Sequence, residues 1–307
     1  MFGKKSNGAI AAGLVVTVLL WGGNNASTKY LVAYWEPGFI GCTRLFCGGL
    51  VMFAILKWTN WMGNFVPLPP DLSRKIWFGG ALGLAAYIEV FNWALHLTTA
   101  SHVALYLAMS PVWALVADEP PAVTLRSAQR YGAAACALMG VVVLFWPSLR
   151  SGNSRWIGEI AGLTASLLWT VFGRQCRALG QELSGAEISA YTMLRGGIWL
   201  MPVAAYDILR HGIVWHTSLV LCQCYGFLCG GVLAYAFWNN GLKHWPVSRV
   251  FLFNNLIPLT TMACSRIFLK EPITPTFWLA MILVITGVAL GQARWEKVLG
   301  SRWVPAE

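Results

Sequence analysis

The sequence predicts an all-α integral membrane protein of ten transmembrane helices, arranged as two inverted five-helix repeats. Three observations carry this: long apolar stretches without charge, basic residues concentrated on alternate loops, and motifs repeated between the two halves. Of 307 residues, 57% are hydrophobic and 11% are charged, against roughly 25% charged in soluble domains. Mean hydropathy is +0.59. Residues 6–28, 90–117, 211–242 and 272–293 contain no Asp, Glu, Lys or Arg. Each reaches the roughly 20 residues that a helix needs to cross the hydrocarbon core. This composition excludes a soluble enzyme, a disordered tail and a nucleic-acid module. The net charge of +10 comes from cations scattered at helix ends, not from a basic patch.

Breaks at Pro, Gly and charge set the spans in order. The first, 8–33, follows Lys4 and Lys5; it is read as a span rather than a removed signal, because no small-residue cleavage site follows it. The short loop 34–37 leads to 38–58, which ends at Lys57. Arg74 precedes 75–97, which begins at Lys75, and the loop 98–99 joins it to 100–117. The fifth, 129–148, has Arg130 at its start and ends before Arg150, and the sixth, 156–177, follows Arg155 and ends at Arg177. Then come 185–208, ending before Arg210, and 217–241. The loop 242–245 leads to 246–268, and 275–293 ends before Arg294. Backbone groups cannot stay unpaired in lipid, so these are helices.

Orientation follows from the cations. With the N-terminus inside, the cytoplasmic side carries Lys4, Lys5, Lys57, Arg74, Lys75, Arg126, Arg130, Arg174, Arg177, Lys243, Arg294, Lys297 and Arg302. The other side carries only Arg150, Arg155, Arg210, Arg266 and Lys270. Both termini are then cytoplasmic, in the cytoplasmic membrane. The 17 tryptophans, among them Trp35, Trp58, Trp61, Trp77, Trp146, Trp156, Trp215 and Trp295, cluster near span ends as an aromatic belt would. The 8 cysteines form no CxxC pair and read as small apolar filler, so no metal site is expected.

Repetition divides the chain into 1–150 and 151–307. At one nearly constant offset, Gly79 and Gly83 meet Gly226 and Gly230; Asn92 meets Asn239, Leu95 meets Leu242, Ser101 meets Ser248, Val103 meets Val250, Pro111 meets Pro258 and Gly140 meets Gly287. One residue further, Leu20-Trp21 meets Leu168-Trp169, Lys29 meets Arg177, and Gly48-Gly49 meets Gly196-Gly197. Five spans per copy is an odd number, so the second copy enters the membrane in the opposite sense. Inverted repeats bind solute near the midplane, where the halves meet.

The chain resembles the EamA-type transporters of the drug/metabolite transporter superfamily. The residues that carry this are Leu20-Trp21-Gly22-Gly23-Asn24 leading to Lys29-Tyr30, Glu36-Pro37 and Arg44, Ala100–Pro111, and Val247–Pro258 with Lys270-Glu271-Pro272 and Gly287-Val288. The resemblance covers nearly the whole chain. It implies ten helices, export or exchange of small metabolites, amino acids among them, and no use of ATP.

Polar and aromatic residues inside spans mark a candidate cavity. Trp21, Asn24, Asn25 and Thr28 share one face of the first span, with Trp169 as the counterpart in the sixth. The third span offers Tyr87 and Asn92, the eighth Tyr235 and Asn239, and the ninth Asn254. In the fourth, Tyr106 and Trp113 recur at helical spacing with Ser110 beside them. The substrate-binding set is thus Trp21, Asn24, Asn25, Tyr87, Asn92, Tyr106, Ser110, Trp113, Trp169, Tyr235, Asn239 and Asn254. Each Asn taken singly reads first as interhelical glue worth about 0.6–2 kcal/mol, and the set from six spans together reads as a shared cavity. Aromatic walls suit an ammonium group by cation–π contact, and amides suit a carboxylate. Pro111 and Pro258 are expected to kink or hinge spans four and nine. Glu89 is the one acid placed well inside a span. Arg44 and Arg195 are intramembrane cations that snorkel, hold loops or neutralise a carboxylate.

The leading reading is a secondary carrier with a small-molecule substrate, membrane lipid as its surroundings, no nucleic-acid partner and no cofactor, as a monomer or weak dimer. A channel, a non-transporting receptor and an intramembrane enzyme remain as alternatives. The enzyme lacks HExxH and GxSxG motifs, and the five histidines have no ligand spacing. No Walker A motif is present.

Overall fold

The computed structural model describes residues 7–59, 65, 67–118, 125–150 and 155–292. Every regular element among them is helical: α1 (Asn7–Leu31), α2 (Pro37–Trp58), α3 (Pro70–Leu97), α4 (Ala100–Leu107), α5 (Ser110–Asp118), α6 (Leu125–Arg150), α7 (Arg155–Leu179), α8 (Gly185–His211), α9 (Thr217–His244), α10 (Val247–Phe251), α11 (Ile257–Phe268) and α12 (Pro275–Gln292). Five of these, α1, α2, α3, α7 and α9, are long and apolar enough to cross a membrane. Long α8 carries Glu187, Arg195 and Asp207. Large apolar side chains such as Leu19, Phe78, Leu209, Leu221 and Ile282 point outward, as a lipid-facing surface requires.

The predicted fourth and ninth spans are broken. A turn at residues 108–109 separates α4 from α5, and a 3₁₀ segment, Leu252–Leu256, separates α10 from α11. Pro111 and Pro258 explain both breaks, since proline lacks the N–H that would bond the preceding turn. The freed carbonyl of Leu107 accepts instead from Ser110 Oγ at 2.7 Å. The repeated Gly79 and Gly226 fall in π-helical segments, Ile76–Ala81 and Gly226–Leu233.

Packing between the halves is reciprocal. A Cβ on Gly49 would strike the backbone of Leu194, and one on Gly197 would stand 2.6 Å from the Phe46 nitrogen. Cys42 Sγ reaches the Gly197 carbonyl at 3.4 Å, while Gly38 faces Val203 and Phe53 meets the Tyr191 ring at 4.9 Å. Positions rise along α2 as they fall along α8, so the two run antiparallel. The same holds for α6 and α12, where a Cβ on Gly140 would lie 2.8 Å from the Ala280 carbonyl oxygen and one on Gly287 2.6 Å from that of Ala133. Close crossings of this kind need glycine because two backbones meet there.

Cations close helix ends in a matched way. Lys29 Nζ donates to the carbonyls of Leu95 (2.6 Å) and Thr98 (2.8 Å) at the end of α3. Arg177 donates to those of Leu242 (2.7 Å), Lys243 (2.8 Å) and Trp245 (2.9 Å) at the end of α9. A positive charge there meets both the orphan carbonyls and the helix dipole. Arg177→Ala is expected to lower stability by about 1.5–3 kcal/mol, with Arg177→Lys intermediate, as read from the melting temperature in detergent.

The tryptophans divide. Trp58 is 77% exposed and Trp146, Trp156 and Trp215 are also outward-facing, as in an aromatic belt. Trp35 differs: it is buried, and its Nε1 donates to Val214 O at 2.7 Å, tying two loops together. Trp61 and Trp295 lie outside the described residues.

Candidate functional site: a buried aromatic cavity

Helices α1, α2, α3, α4, α7, α9 and α11, with the 3₁₀ segment, line a cavity of about 30 Å³. That is room for a water or two. Trp21, Asn24, Asn25, Tyr87, Trp169, Tyr235 and Asn254 of the expected set line it together with Arg44, Ile88, Phe91, Leu107, Gly230 and Ile257.

The aromatic walls form a matched quartet. Trp21 and Trp169 meet edge to face with centroids 5.2 Å apart. Trp21 also packs on Tyr235 at 5.5 Å and Trp169 on Tyr87 at 4.9 Å. Each tryptophan thus pairs with a tyrosine from the other half of the sequence. Trp238 closes the group, 4.9 Å from Trp21 and 5.6 Å from Trp169. The Trp21 indole is fixed by its Nε1, which donates to Gly230 O at 2.9 Å. That carbonyl belongs to the π-helical stretch of α9.

Asn25 Nδ2 donates to Thr261 Oγ1 at 3.0 Å. Arg44 donates to Thr28 Oγ1, which itself donates to Asn24 O at 2.7 Å. Several buried polar atoms are left without a hydrogen-bond partner: Asn24 Oδ1, Arg44 Nε, and both Oδ1 and Nδ2 of Asn254. Such groups are costly unless water or a solute meets them. In the α2/α8 register set by Gly49 and Gly197, Thr192 takes the place of Arg44; its hydroxyl donates to Ile188 O.

The remaining candidates stand apart from the cavity. Asn92 Nδ2 donates to Pro37 O at 3.0 Å, and Asn239 Nδ2 to Ser189 Oγ at 2.9 Å. Both therefore secure the first turns of α2 and α8. Tyr106 packs beneath Gly162, Ser110 bonds Leu107 O, and Trp113 Nε1 donates to Ser166 Oγ at 2.9 Å. Of the residues that sequence reasoning left out of the set, Arg44 carried a signal, since an intramembrane charge is a functional candidate by default. Ile88, Phe91, Leu107 and Ile257 carried none.

A second polar cluster lies at the end of α3. Glu159 is only 1% exposed, although Glu89 was the acid expected inside a span. Its Oε1 accepts from Thr98 Oγ1 at 2.8 Å and lies 2.9 Å from His102 Nδ1. Nearby, Glu271 accepts from the backbone nitrogen of Ala100 at 3.0 Å and from Ser101 Oγ at 3.2 Å, capping α4. Glu89 instead accepts from Trp93 Nε1. Among the described residues no group of His, Cys, Asp and Glu could hold a metal, and the eight cysteines are free.

Long apolar helices around a buried polar cavity define an α-helical multi-pass membrane protein. The description of the EamA-like transporter family matches twice, over residues 8–146 and 156–291. The chain belongs to that family. Relatives include the uncharacterized transporter YyaM of Bacillus subtilis, 23% identical over 85% of this chain and 86% of that protein. A probable terminal-alkyne amino-acid exporter of Streptantibioticus cattleyicolor is 21% identical over 69% of this chain and 70% of its own. A probable amino-acid metabolite efflux pump of Escherichia coli is 21% identical over 55% of this chain and 57% of its own. A solved crystal structure shares the fold, with a TM-score of 0.67, 19% identity, and coverage of 97% of this chain and 100% of that one.

Proposed function

We propose that the chain is a secondary carrier that exports small organic metabolites, amino acids or related compounds, across the cytoplasmic membrane by alternating access. In this reading α4 with α5, and α10 with α11, are single broken spans, so that ten spans form two inverted repeats, 1–150 and 151–307. Both termini are cytoplasmic, and the protein acts as a monomer or weak dimer. The observation that carries it is the reciprocal, antiparallel packing of α2 on α8 and α6 on α12. Helices exchanged by a two-fold axis across their length run in opposite directions, which is the symmetry of inverted repeats. The double family match and the relatives named for amino-acid export support the same reading.

The mechanism follows from that symmetry. Each half can adopt the other's conformation, so outward-open and inward-open states lie close in energy. The cavity stays at their junction while the walls on either side part in turn. Purified protein in liposomes preloaded with an unlabelled amino-acid mixture should accumulate labelled amino acid by exchange, with no nucleotide present. Flux that external label enters equally without preloading would indicate a channel. Binding with no uptake would indicate a receptor.

A further inference from the structure

We infer that Arg44 holds the carboxylate of an organic acid in the central cavity, so that solutes are selected first by a negative charge and then by an apolar or aromatic body. For the route of the solute this rests on the carrier reading; for binding it does not.

Three observations lead there. First, Arg44 is 2% exposed midway along α2, and its guanidinium forms no ion pair with any described carboxylate. Its donors meet one protein oxygen, Thr28 Oγ1, while Nε has no partner. Second, other arginines of the chain meet more protein oxygens than Arg44 does. Arg177 Nη1 lies within hydrogen-bond distance of three carbonyls, and Arg195 donates from Nη1 to Ser73 O and from Nη2 to Ser73 Oγ. A fork left open in an apolar interior is an expensive arrangement for structure alone, and it matches the planar, two-oxygen geometry of a carboxylate. Third, the fork opens on the one cavity whose walls are Trp21, Trp169, Tyr87 and Tyr235. Asn24 and Asn254, which carry unpartnered amide atoms, line the same cavity. These would receive an ammonium or hydroxyl group of the solute. The 30 Å³ now open is too small for such an acid, so the surrounding helices part to admit it.

The test uses matched pairs: phenylalanine, leucine, phenyllactate and 3-phenylpropionate, each against its primary amide. Binding to the purified full chain is read by thermal shift and isotope equilibrium dialysis. The wild type is expected to bind at least one acid tenfold or more tightly than its amide. Arg44→Gln should lose that preference, and Arg44→Lys should retain it in part. Equal binding of acid and amide by the wild type overturns the inference, as does a panel in which no acid binds. So does an Arg44→Gln protein that is monodisperse and still prefers acids. If Arg44→Gln fails to fold, the wild-type comparison and Arg44→Lys still decide. Acid-selective binding without exchange in liposomes would sink the carrier reading and leave Arg44 in place. Exchange that ignores the carboxylate would do the reverse.

Discussion

Gly49→Ala is expected to destabilise the fold more than any other single methyl addition on α2. The new carbon would meet the backbone of Leu194, not the flexible end of a side chain. Relief therefore requires the whole 22-residue helix to move away from α8. Overpacking costs about 1–3 kcal/mol, and this site belongs at the upper end because nothing local can yield. Gly197→Ala presses on the backbone of Phe46 in the same way. Both methyls demand the same separation of the same pair, so the double variant should cost clearly less than the two single costs added. Melting temperature by fluorescence-detected size exclusion measures all three. Unchanged melting of Gly49→Ala would mean that the close crossing is not formed.

Exchange by Trp169→Ala should fall at least tenfold, with Trp169→Phe retaining most of it. The ring touches Trp21, Tyr87, Tyr235 and Trp238 at once. Its loss opens the wall between the two halves of the cavity and costs about 3–5 kcal/mol of core packing. The Phe variant separates the two effects, because a smaller ring still bridges the quartet. Trp58→Phe, on the lipid-facing rim, should leave exchange within twofold. Were Trp169→Ala to fold and exchange at the wild-type rate, the cavity would not be the route of the solute.

Much of this was readable in the sequence because the duplication writes each contact twice. Trp21 and Trp169, Lys29 and Arg177, Gly49 and Gly197, and Gly140 and Gly287 stand out by recurring, and each proves to be a packing or capping position. Polarity alone was a poorer guide to the site. Asn92 and Asn239 recur just as faithfully, yet both bind the starts of neighbouring helices. Recurrence reports a shared structural task, and whether an amide faces a cavity or a helix end depends on side-chain direction that spacing does not encode. The helix breaks near Pro111 and Pro258 were anticipated, but the π-helical turns around Gly79 and Gly226 were not. Both segments are apolar throughout, so no polar residue marks the shift in phase that a π turn introduces.

The substitution of Thr192 for Arg44 across the α2/α8 pair has a consequence for the passenger. The frame is nearly even-handed, but among the described residues that line the cavity the cation, Arg44, sits on one side of it. On the carrier reading proposed above, a solute seated by Arg44 would take one of the two poses that a symmetric cavity offers. Stereochemistry at the atom next to its acid group would then be sensed at the same depth throughout the crossing.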